Sequence, residues 1–198
     1  TSKPKEGALW INGSDRISNN LFCFTAENEL NKMTDWIGDI GSFDIFGDQA
    51  VISGKQGLDF DEVWTFDLKT GQASCISDFN RSFLKEKAVS ECEPLTIASH
   101  DWEVDGWIMK PADFDPNKTY PAILTIHGGP KGAYHGTFGI DMQTWASAGY
   151  FVFFCNPIGS DGRGNEFAEI REKHGTVDYE DIMNFTDEVL KRYPQIDP

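Results

Sequence analysis

The chain has 198 residues with a formal net charge of −15, and its 39% apolar and 13% aromatic content suits a globular protein large enough for two compact units. Such acidity, with no basic stripe, argues against a nucleic-acid partner. The longest apolar run, Tyr150–Cys155, is far too short to cross a bilayer, so no membrane partner is expected, and Thr1–Asp15 holds no run of signal-peptide length.

The first half reads as short strands and turns. Asn19–Asp35 and Asp61–Asp78 resemble each other: each has an aromatic-bearing strand, a polar turn and a second strand ending in Thr-Asp or Ser-Asp. Thr34 and Ser77 are 43 residues apart, a period that fits four-stranded propeller blades. Between the copies, "FDIFGDQAVISG" supplies more strand with Gly-Asp as its turn, and "DLKTG" is a tight hairpin in which Gly71 takes positive φ. Two copies do not close a propeller. Either the chain starts partway through a larger protein, or the repeat is a coincidence of ordinary hairpins.

The second half changes pattern. "LTIAS" and "VDGWIMKP" pair as antiparallel strands, and "AILTIH" is a continuously apolar run, the mark of a strand covered on both faces. "DMQTWASAG" is a short helix with Met142, Trp145 and Ala146 on one side and Gly149 as its stop. "YFVFFC" is a second buried strand. The segment from Asp178 to Arg192 is the clearest helix, capped by Asp178, with Ile182, Phe185, Val189 and Leu190 as its buried face and Pro194 ending it. Strand, helix, strand, helix points to an α/β sheet with parallel strands, and "QIDP" leads into a further one.

Between the apolar run and the short helix stands "IHGGP". A strand that exits through Gly128 and Gly129 brings bare backbone N–H groups against a substrate, the arrangement of an oxyanion hole, with His127 and Pro130 as supporting loop residues. The plain alternative is a turn ended by a hydrogen-bonded histidine. His100, His127, His135 and His174 show no metal-ligand spacing, and "GSDGRG" has its glycines in the wrong order for a dinucleotide, so neither a metal nor a cofactor is expected. Four scattered cysteines without C-x-x-C favour a reducing, cytoplasmic setting over a disulfide framework.

"YPAILTIHGGP", "WASAGYFVFFCNPIGSDGRGNEF" and "HGTVDYEDIMNFTDEVLKRYPQIDP" together resemble the prolyl oligopeptidase family of serine peptidases, in its acylaminoacyl-peptidase and dipeptidyl-peptidase branches. The resemblance runs from about Pro94 to Pro198. It implies the last blades of a β-propeller over residues 1–92, followed by the first part of an α/β-hydrolase domain over 93–198. The implied activity is hydrolysis of short peptides, releasing aminoacyl or acylaminoacyl groups through an acyl-enzyme. Ile158, Arg163, His174-Gly175 and Asp101-Trp102 depart from the family's usual residues, all at loop or packing positions.

The chain contains no G-x-S-x-G elbow. Ser160 sits between glycines but has Ile158 two positions before it, where a tight elbow needs glycine, so it is read as a loop residue near the substrate entrance. The nucleophile, Asp and His are therefore expected outside this chain, which alone should be inactive. Its sheet should expose an edge and need either the remainder of the domain or a homo-oligomer. A non-catalytic peptide-binding propeller module and an α/β-hydrolase esterase are the competing readings.

Overall fold

The computed structural model describes residues 8–129 and 131–197. Two compact units divide the chain, Thr1–Lys87 and Ala88–Pro198. Among the described residues no helix is long and apolar enough to cross a membrane.

In the first unit, β1 (Leu9–Asp15), β2 (Ser18–Phe24) and β3 (Leu30–Lys32) form a three-stranded antiparallel sheet. Next, β4 (Asp39–Phe46), β5 (Gln49–Lys55), β6 (Glu62–Asp67) and β7 (Ala73–Cys75) form a four-stranded antiparallel meander, and a one-turn helix, α1 (Arg81–Leu84), follows. Ala50, Ile52, Trp64 and Phe66 alternate inward from β5 and β6 to a core shared with Leu21, Ile37 and Ile40. The "DLKTG" turn forms as read: Gly71 has φ 73°, and Asp67 accepts the N–H groups of Lys69 and Thr70 at 3.0 and 2.9 Å.

The repeat has a physical basis that composition hides. In the first copy the Leu21 N–H donates to Thr34 Oγ1 at 3.0 Å, and that hydroxyl donates to Asn20 Oδ1 at 3.3 Å. In the second, the Val63 N–H donates to Ser77 Oγ at 2.8 Å, and Ser77 donates to the Glu62 carboxylate. Asn20 and Glu62 are both buried, so each sheet carries a polar strand residue satisfied by a hydroxyl from the chain after the last strand. Glu62 also accepts the N–H groups of Phe79 and Asn80.

The second unit opens with the hairpin β8 (Cys92–Ser99) and β9 (Trp102–Met109), then β10 (Ala122–Leu124), α2 (Ile140–Ser147), β11 (Phe151–Asn156), α3 (Asn165–Ala168) and α4 (Val177–Arg192). The sheet order is β10-β11-β9-β8, with β10 and β11 parallel and β9 antiparallel to β11. β11 is buried along its whole length and feeds two interiors. Phe151, Phe153 and Cys155 meet Ile182, Phe185 and Val189 of α4, while Val152 and Phe154 meet Ala146 of α2 with Trp107 and Met109. Helical periodicity thus locates the buried face of α4, with Leu190 only partly covered.

Two local expectations are corrected. The run "AILTIH" is not a strand buried on both faces: β10 covers only Ala122–Leu124, is half-buried, and is followed by an Ile126 that is 58% exposed. Among the described residues β10 pairs along its length with β11, and just before it Tyr120 makes a single parallel bridge to Ile196, closed by bonds of 2.8 and 2.9 Å. A further strand is expected after α4; the described residues there make this one bridge, and Pro198 lies outside them. Asp178 does not cap α4. Thr176 holds the N-cap position, and Asp178, inside the first turn, turns back to accept the Gly175 N–H at 2.7 Å.

A polar knot closes the far end of this unit. Glu93 accepts Lys110 Nζ at 2.5 Å and the Tyr193 hydroxyl at 2.7 Å. Burial pushes Glu93 up, but Lys110 and Tyr193 outweigh it and hold the carboxyl below its usual value. Burial, with Glu93 beside it, pushes Tyr193 up to about 12. The depressed carboxylate adds stability above its unfolded pKa and loses it as pH falls through the folded value. The raised phenol adds stability below about pH 10 and loses it as pH rises toward about 12. Thermal midpoints across pH 8–12 should therefore fall less steeply in Tyr193→Phe than in the parent; identical slopes would show that the phenol does not contribute.

Candidate active site

Two loops leave the carboxyl ends of the parallel strands, residues 125–136 after β10 and 157–164 after β11, the usual position of a crevice in an open α/β sheet. The segment leading into α4 forms the third wall. Gly128 and Gly129 are exposed, and among the described residues none accepts a hydrogen bond from either N–H. In front of them lies a cleft of about 410 Å³ walled by Ile158, Ile170 and His174. A neighbouring cleft of about 550 Å³ shares Gly129, Ile170 and His174 and adds Lys131 and Glu169.

The local backbone constrains the two glycines differently. Gly129 has φ 133°, and a Cβ there would lie 2.6 Å from the Gly132 nitrogen. At Gly128 a Cβ would meet nothing within 4 Å, so no internal packing demands glycine there. Pro130 lies outside the described residues.

His127 ties the two loops together. Its Nε2 is 3.0 Å from Ser160 Oγ, and Ser160 donates to the Pro157 carbonyl at 2.7 Å. Its Nδ1 is 3.2 Å from the Gly128 carbonyl oxygen, and its ring packs edge-on to Tyr134 at 5.2 Å. Burial pushes the His127 pKa down against the opposing pull of the Gly128 carbonyl. Ser160 is fully buried and its hydroxyl is engaged within the loops, so it is not presented to a substrate.

Other residues that set this geometry were not singled out by sequence patterns. Asn156, at the end of β11, accepts the Tyr134 N–H at 2.7 Å and donates to the Tyr134 carbonyl at 2.9 Å, gripping the glycine loop as a neighbouring strand would. A polar residue closing an otherwise apolar strand was the available signal. Asp181 accepts the Ser99 hydroxyl at 2.5 Å and the Ile158 N–H at 2.8 Å, which fixes one wall of the cleft to α4.

Arg163, one of the family departures, pins the loop after β11 to the sheet. Its Nε and Nη2 reach Asp105 at 3.1 and 2.8 Å, and Thr96 donates to the same carboxylate at 2.8 Å. Asp105 is 3% exposed, so removing the guanidinium takes two charge-assisted hydrogen bonds from a buried carboxylate. Arg163→Met should cost about 3 kcal/mol in urea unfolding, at the low end of the range for buried pairs because Arg163 keeps some solvent contact. A loss under about 1 kcal/mol would mean that Asp105 recovers water.

Residues 137–198 match the model of the prolyl oligopeptidase family. Over those residues the chain is similar to that family. The uncharacterised peptidase YuxL of Bacillus subtilis is 43% identical over 121 residues, covering 60% of this chain and 18% of the relative. A probable dipeptidyl-peptidase 5 of Trichophyton verrucosum is 27% identical over 204 residues, covering 96% of the chain and 27% of the relative. The solved acylaminoacyl peptidase of Pyrococcus horikoshii superposes with a TM-score of 0.87 at 29% identity, covering 100% of this chain and 31% of that one. The chain spans less than a third of the length of each of these relatives. The prolyl oligopeptidase match takes in α2, β11, the loop with Ser160 and Arg163, and α4, but begins after Gly128 and Gly129.

Proposed function

We propose that the chain is part of a serine peptidase of the prolyl oligopeptidase type that acts on short peptides. In this reading the first unit supplies terminal blades of a β-propeller, and the second supplies the opening strands and helices of an α/β-hydrolase domain. The two glycine amides, with no acceptor among the described residues, stand at the head of a cleft beyond the carboxyl end of a parallel strand, and they carry the assignment. As a nucleophile adds to a peptide carbonyl, negative charge collects on the oxygen, and backbone N–H groups already aimed at that point stabilise it without rearranging. Gly128 leaves the approach open, and Gly129 permits the backbone turn that directs the pair.

The serine, aspartate and histidine lie outside this chain, so the chain alone is inactive. The Tyr120–Ile196 bridge supports their placement. A strand continuing from Ile196 would run parallel to β10 on its open side and emerge beside Gly128, the position a nucleophile elbow needs. Four free thiols fit a cytoplasmic setting.

The test is to treat the complete gene product with a serine-directed fluorophosphonate, map the adduct, and assay acylaminoacyl- and aminoacyl-anilides beside short-chain esters. An adduct on a serine beyond residue 198, with anilide hydrolysis, is expected. An adduct on Ser160 would overturn the assignment of roles. Ester hydrolysis alone would favour an esterase, and peptide binding without labelling would favour a binding module.

A further inference from the structure

Gly129, Ile170 and His174 are common to both clefts, so His174 stands at their junction. Its side chain is 72% exposed and is held at Nδ1. Asp178 Oδ2 lies 2.8 Å from Nδ1, and the other oxygen of that carboxylate holds the Gly175 N–H at 2.7 Å. Asp178 is itself only 8% exposed, on the same turn of α4 as Asp181, which anchors the opposite wall at Ile158. A carboxylate accepts only, so the neutral ring carries its proton on Nδ1 and its lone pair on Nε2. No described residue bonds Nε2. His174 thus brings an acceptor, its tautomer set by Asp178, to the lining of the cleft that Gly128 and Gly129 also line.

We propose that His174 is a substrate-contact residue whose Nε2 accepts a hydrogen bond from an N–H group of the bound peptide, with Asp178 as the positioning residue that sets the ring. The inference rests on the peptidase reading above. The donor is either a backbone amide or the ammonium of a free amino terminus, which share this chemistry. Because ground state and transition state both keep the donor, the contact should act mainly on binding.

The experiment compares the complete protein with its His174→Phe and His174→Gln variants on N-acetylated and free-amine anilides of one peptide. It adds analogues in which single backbone N–H groups are replaced by ester oxygen. His174→Phe should raise KM about three- to tenfold, the loss of one neutral hydrogen bond, with kcat changed less than about twofold. His174→Gln, whose amide oxygen also accepts, should stay closer to the parent. Loss on both substrate series, erased by one particular ester replacement, identifies the backbone donor; loss confined to free-amine substrates identifies the ammonium. His174→Phe indistinguishable from the parent on every substrate would overturn the inference while leaving the peptidase reading intact. Ring ¹⁵N shifts placing the neutral proton on Nε2 would also overturn it. A parent that hydrolyses none of the substrates would remove the peptidase reading, and this inference with it.

Discussion

In the complete protein, Gly129→Ala should lower kcat by about 10²–10³, the effect of losing one oxyanion donor, with a much smaller change in KM. The backbone at Gly129 has φ 133°, which an L side chain does not hold without strain, and the new Cβ would sit 2.6 Å from the Gly132 nitrogen and 3.0 Å from that of Lys131. Those contacts are backbone, so the loop itself must turn. Turning it swings the amides away from the cleft. Because the loop is exposed, global stability should change far less than activity. Gly128→Ala is the companion: its Cβ meets nothing within 4 Å, so the thermal midpoint should match the parent while turnover falls because a methyl group narrows the approach. Full activity in Gly129→Ala would show that these amides do not face developing charge. Equal activity in Gly128→Ala and the parent would show that substrate does not pass that close.

The largest effect on stability is expected away from the cleft. A Cβ on Gly106 of β9 would lie 2.4 Å from Cζ of Phe185 and 2.5 Å from the Phe154 carbonyl oxygen. The first atom belongs to the central ring of the α4 face and the second to the backbone of β11, so neither rotamer change nor small relaxation frees the space. Gly106→Ala should cost about 3 kcal/mol or more, at or beyond the upper end of overpacking. Phe185→Leu in the same molecule should recover part of that loss, because it relieves the ring contact but not the backbone one. Such coupling between neighbours is what a double-mutant cycle measures. A cost under about 1 kcal/mol for Gly106→Ala would mean that α4 stands off the sheet further than described.

What the sequence made legible was local and periodic. The spacing of Ile182, Phe185 and Val189 located the buried face of α4, and "DLKTG" announced its own turn. The apolar run at β10 misled because apolar content reports a preference for burial, whereas strand length depends on how many neighbours the backbone finds. Asp178 misled as a cap because its carboxylate is committed locally, to Gly175 and His174 three and four residues back, and helical spacing does not choose between these uses. The contacts that shape the cleft join distant positions, Asn156 to Tyr134 and Arg163 to Asp105, and no periodicity encodes them. The repeat was visible through its hydroxyls, Thr34 and Ser77, but their buried partners, Asn20 and Glu62, differ in type and left no common signature.

The two-sidedness of β11 has a consequence for how its ladder is chosen. Phe-Val-Phe-Phe-Cys offers bulky apolar groups in both directions, so sliding this strand by one place would still present grease to each helix. Short of Asn156, its residues are therefore nearly indifferent to which way up it lies. The choice falls to β9, where Gly106 opposite Cys155 makes a notch that accepts the Phe185 ring, and Trp107 opposite Phe154 makes a ridge that suits only the α2 side. An asymmetric hairpin thus acts as the key for a nearly symmetric strand.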